Sequence, residues 1–136
     1  MNETNSFAAT IGWDWADQKH DLWLCAASQK KPEHLVLEQT PEAIHQWVAK
    51  LRERFGGQRV AICLETSRGP VISALQAYDF ITFFPINPKA LKSYRAAFSV
   101  SGAKDDRTDA MLLEEYVRLH REKLRALEPD TEVDRR

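Results

Sequence analysis

Hydrophobic and polar positions alternate through "ATIGWDWA" (9–16) and "HDLWLCAA" (20–27), with the polar Asp17-Gln18-Lys19 between them. That pattern predicts two strands joined by a turn. A third alternating run, "EHLVLEQ" (33–39), completes an antiparallel meander. The period then changes: Ile44, Trp47, Val48, Leu51 and Phe55 recur at helical spacing. Thr40 is placed as the N-cap of this helix, Pro41 at its first position and Gly56-Gly57 as its stop. "RVAICLE" (59–65) is a nearly continuous apolar run closing on one carboxylate, as in a central strand buried on both faces. "PVISALQAY" (70–78) predicts a short helix and "FITFFPI" (80–86) another buried strand. A helix, "PKALKSYRAAF", starts at Pro88, and the polar "SVSGAK" leads to a final long helix from about Asp106 to Leu124.

The order β-β-β-α-β-α-β-α-α predicts an α/β domain, a mixed sheet with helices packed on it. It suits an RNase H-like fold, although strand order is not written in local signals. Its 136 residues suffice for one domain with an ample core. We place that domain at 1–124 and expect 125–136, which lacks apolar periodicity and ends on charge, to be a linker or tail. Cys25 and Cys63 lie in apolar surroundings with no C-x-x-C pair, so buried, reduced thiols are expected rather than a zinc site or disulfide. No signal peptide or membrane span is recognisable, and the expected location is the cytoplasm. With 19 basic and 20 acidic residues the net charge is -1, so no global excess announces a nucleic-acid partner and charge has to be read locally.

Local reading singles out four carboxylates. Asp14 lies inside an apolar strand, on the face of Gly12 and Ala16 and opposite Trp13 and Trp15. A carboxylate there needs water, a partner or a cation. Glu65 ends its strand just before a turn, where ligand groups gather in α/β sheets. Asp106 and Asp109, spaced i and i+3, share a helix face that continues through Leu113, Tyr116, Val117 and His120. Asp105 is turned about a hundred degrees from that face. Taken singly, each has an ordinary explanation: a strand end, a turn, or Asp106 as N-cap with Asp109 at N3. Together they are the parts of a two-metal phosphodiester site, because hard divalent cations take oxygen ligands. Such ions sit roughly 4 Å apart, one beside the attacking oxygen and one beside the leaving oxygen.

These motifs resemble the N-terminal RuvC-like DEDD domain of insertion sequence 110 family transposases, which include the Piv-type DNA invertases and the bridge-RNA-guided recombinases. "IGWDWADQKHDL" is similar to the family's opening strand, "ICLETSRGPVISAL" to its strand-end Glu and Gly-containing turn, and "FPINPKALKSYR" with "SGAKDDRTDAMLL" to its N-P…K…D-x-x-D-A block. Here Ser67-Arg68 stand before Gly69, where the family more often has Gly directly. The resemblance implies that Asp14, Glu65, Asp106 and Asp109 are catalytic carboxylates holding Mg2+, with Mn2+ as a substitute. It implies metal-dependent DNA strand cleavage and transfer in transposition. It also implies a structured guide RNA, a homo-oligomer, and a C-terminal transposase domain bearing a serine nucleophile.

Between Asp79 and Asp105 no acidic residue occurs, whereas Lys89, Lys92, Arg95 and Lys104 do. Lys89, Lys92 and Arg95 form a basic helical edge, which with Lys104 and Arg107 makes a candidate nucleic-acid contact. A solvated helix face is the plainer explanation of the same charges. The four His show no ligand spacing, and the Trp residues read as packing groups. The competing reading of the chain is a non-catalytic nucleic-acid-binding and oligomerisation module of the same fold. A sugar-kinase-like ATPase half is disfavoured, because "WADQKHD" lacks the glycine of a phosphate hairpin.

Overall fold

The computed structural model describes residues 6–16, 18–65, 78–97 and 108–124. Strands β1 (Ala9–Asp14), β2 (Lys19–Ala26) and β3 (Glu33–Glu38) form the antiparallel meander. Helix α1 (Pro41–Arg54) follows, then β4 (Val60–Glu65) and β5 (Ile81–Ile86). Helices α2 (Pro88–Ala97) and α3 (Asp109–His120) and a short 3-10 turn (Arg121–Lys123) complete the described chain. The sheet order is β3-β2-β1-β4-β5, with β4 parallel to β1 and β5 parallel to β4. This mixed sheet flanked by helices is the RNase H-like α/β arrangement expected from the element order.

Local chemistry sets the element ends. Thr40 Oγ1 accepts from the Ala43 N–H at 3.1 Å and Pro41 opens α1. Beyond Phe55, Gly56 and Gly57 take φ of 61° and 79°, the left-handed region that a side chain would disfavour. Asn87 Oδ1 accepts from the Lys89 N–H at 2.7 Å, capping the turn that Pro88 starts. The final helix begins later than its sequence suggests. Thr108 is its N-cap, with Oγ1 accepting from the Met111 N–H at 3.3 Å, and Asp109 is its first residue. The capping role expected of Asp106 therefore belongs to Thr108, and Asp109 stands at N1 rather than N3.

The sheet is packed on both faces. Ile11, Trp13, Leu22, Leu24, Ile62 and Leu64 meet Ile44, Val48 and Leu51 of α1 on one side. Ala61, Cys63, Phe84 and Ile86 meet Leu91 of α2 and Leu112, Leu113 and Val117 of α3 on the other. Val60 to Leu64 are all fully buried, which explains why that strand reads as a continuous apolar run. The short helix expected over 70–78 falls almost wholly outside the described residues, as does the tail 125–136.

Candidate active site

Asp14 closes β1 and Glu65 closes β4. These strands are parallel neighbours in which Gly12 pairs with Cys63. Both carboxylates lie two residues further on, so the same register sets them level, at a strand spacing of about 4.8 Å. Gly12 and Cys63 face α3, and alternation turns Asp14 and Glu65 to that same face. Both are half-buried.

Gly12 fixes where α3 lies. A Cβ at this position would stand 2.0 Å from the Ala110 carbonyl oxygen and 2.5 Å from the Glu114 nitrogen, closer than real atoms approach. The helix backbone thus rests directly on β1, which only a residue without a side chain permits. Its first turn is carried toward the carboxyl end of the sheet. Asp109 consequently shares a pocket of about 190 Å³ with Glu65, lined also by Pro88, Leu91, Lys92 and Arg95.

Helix α2 supplies the basic wall. Leu91 is buried, and Tyr94 Oη donates to Glu115 Oε1 at 2.9 Å, tying α2 to α3. Lys89 and Lys92 are exposed, as phosphate contacts would have to be. Arg95 is engaged: its Nη2 donates to Asp109 Oδ1 at 2.6 Å.

A fifth carboxylate, Glu114, escaped the reading of the pattern. It is 1% exposed and accepts from Thr10 Oγ1 at 2.7 Å and Arg118 Nε at 2.8 Å, both at Oε2, with Arg118 Nη2 at 3.3 Å from Oε1. A buried carboxylate without such donors would be costly. The hydrogen bonds to Glu114 hold the Arg118 guanidinium charged against the opposing effect of burial. The trio locks α3 to β1 at a second point, beyond the Gly12 contact. Ala110, Leu113, Glu114 and Val117 follow helical spacing, so a carboxylate within the apolar stripe was the available signal. The i,i+4 pairing with Arg118 disguises it as a surface ion pair.

Burial pushes the Cys63 thiol far above its usual range, and burial with Glu114 nearby pushes Cys25 up to about 11. Cys63 is buried as expected, whereas Cys25 is only half-buried, and neither is a ready nucleophile. A larger hollow of about 510 Å³ opens near the other end of β1, between Thr10, Trp23 and Arg118, away from the acidic end of the sheet. No carboxylate lines it.

Residues 11–135 match the DEDD transposase family of insertion sequence 110, described as a transposase. The chain belongs to that family. Over 110 residues it is 30% identical to "Putative transposase y4uE" of Sinorhizobium fredii (strain NBRC 101917 / NGR234), a match covering 79% of this chain and 30% of that protein. The chain thus spans about a third of that transposase's length.

Three of the four candidate ligands of this transposase-family domain, Asp14, Glu65 and Asp109, are described and lie at one end of the sheet; Asp106, Lys104 and Arg107 fall outside the described residues. Among the described residues no three His, Cys, Asp or Glu side chains are drawn close enough to grip an ion. The donor set nevertheless fits a hard cation: carboxylate oxygens only, half-buried, on rigid element ends. No helix among the described residues is long and apolar enough to cross a membrane.

Proposed function

We propose that this domain carries the metal-dependent half of a DNA transposase active site, cleaving and transferring DNA strands during movement of an insertion sequence. Asp14, Glu65, Asp106 and Asp109 would hold Mg2+, or Mn2+ in its place. When bound, the cation supplies Lewis-acid stabilisation of charge developing on phosphodiester oxygens and activates the attacking oxygen. The chain's own residues hold and orient. The strand ends set Asp14 and Glu65 level with each other, α3 brings Asp109 into one pocket with Glu65, and Lys89 and Lys92 would draw the nucleic-acid backbone toward it. A C-terminal serine domain, a structured guide RNA and a homo-oligomer belong to the same reading.

The observation that carries it is the seating of α3 on Gly12, which puts Asp109 into one pocket with the carboxylate ending β4. The test is Asp14→Asn in a full-length transposase containing this domain. Recombination should fall to background while the thermal melting of the isolated domain stays within a few degrees of wild type. Wild-type recombination by that variant would remove the four-carboxylate site.

The non-catalytic module draws its support from the Arg95–Asp109 ion pair, which would make Asp109 a structural residue. Calorimetric titration with Mn2+ separates the two readings. Binding that Asp14→Asn abolishes supports the metal site, and no binding supports the module.

A further inference from the structure

The pairing of Arg95 with Asp109 joins two groups that the proposed chemistry would keep on different partners. Asp109 opens α3, where the helix dipole already favours its negative charge, and its side chain is 42% exposed to the pocket. Arg95 lies in the last turn of α2, whose axis is held by Leu91 and by the Tyr94–Glu115 bond. Its side chain is 35% exposed and carries the guanidinium at the end of a long, rotatable stem. One cation is therefore already seated on Asp109 Oδ1. A divalent ion bound to the same carboxylate would meet a positive group 2.6 Å from a shared ligand oxygen, and the two would repel strongly. An ion that takes Oδ1 has to displace the guanidinium from it.

The released group is suited to a second partner. Arginine's fork matches carboxylate and phosphate alike, and its charge persists in either setting. Lys92 lines the same pocket, so a phosphate reaching its rim would find both cations. We propose that Arg95 is an exchangeable counter-ion: it neutralises Asp109 in the cation-free domain and passes to a backbone phosphate when a divalent ion takes Asp109. This rests on the metal-binding reading above. Cation and nucleic acid then favour each other's binding, because each completes the exchange that the other starts, and the coupling is reciprocal.

Titration of the 136-residue chain with Mn2+ tests the exchange. Arg95→Gln removes the resident cation and should tighten Mn2+ binding by roughly two- to fivefold, the range expected for loss of a half-exposed ion pair. Lys92→Gln removes a charge from the same pocket without breaking that pair, and should tighten binding less. With a short DNA duplex, Mn2+ should increase the affinity of wild type more than that of Arg95→Gln. Unchanged or weaker Mn2+ binding by Arg95→Gln, or equal gains from both variants, overturns the exchange while wild-type Mn2+ binding leaves the metal site standing. No Mn2+ binding by any of the three proteins overturns both.

Discussion

His20 sits fully buried beside the strand that carries Asp14, its ring against Trp13 and Trp15 at 5.2 and 4.6 Å between centroids. Nε2 faces Gln39 Oε1 and Nδ1 faces the Ala16 N–H at 3.4 Å. A neutral ring satisfies both, donating from Nε2 and accepting at Nδ1. Burial lowers its pKa below the ordinary 6.5, against a weaker upward pull from Gln39. The unfolded chain therefore takes up a proton near pH 6.5 that the folded chain refuses. Stability falls as pH drops below that value, and levels off once the folded ring also titrates. Charging Nδ1 would also remove the acceptor that holds the backbone two residues after Asp14. In His20→Gln, thermal melting should depend less steeply on pH between about 7 and 5 than in wild type, whatever its absolute midpoint. Equal slopes in the two proteins would show that His20 does not govern this window.

Among the elements, α3 makes the fewest compromises, since Gly12 and the Thr10–Glu114–Arg118 trio fix its position against β1. Gly12→Ala should push the helix off the sheet and destabilise the domain by about 1–3 kcal/mol, the usual cost of overpacking, seen as a lower midpoint in chemical denaturation. Movement of α3 also displaces Asp109, so this variant should lose cation binding even where it remains folded. A stable Gly12→Ala domain with unaltered cation affinity would contradict the seating. Most elements were legible because their signals are local: alternation for β1 to β3, Thr40-Pro41 for α1, Asn87-Pro88 for α2. The start of α3 was not. "DDRTDA" holds several residues able to cap, and the choice of Thr108 over Asp106 goes with a backbone contact from a strand almost a hundred residues earlier. Glu114 was hidden for the same reason, because its partner Thr10 lies 104 positions away. Strand-end carboxylates were visible one by one, whereas the pairing of β1 with β4 that sets Asp14 level with Glu65 is a property of the assembled sheet.

Over the whole molecule the charges nearly cancel, with a net value of -1, yet Lys89 and Lys92 project from α2 beside the acidic end of the sheet. Attraction to nucleic acid should accordingly be local and sensitive to salt. Replacing both lysines by Ala should weaken duplex binding and flatten the plot of log affinity against log salt by roughly one to two units. An unchanged slope would take this edge out of the interface. The distance in sequence between the two halves of the site has a further effect on timing. β1 is synthesised well before α3, the last helix among the described residues. Until α3 has emerged and closed over Gly12, a growing chain has Asp14 and Glu65 but no Asp109, and a bare apolar face on Ala61, Cys63 and Phe84. A chain stopped before α3 would thus leave that apolar face open and be recognisable to proteolysis.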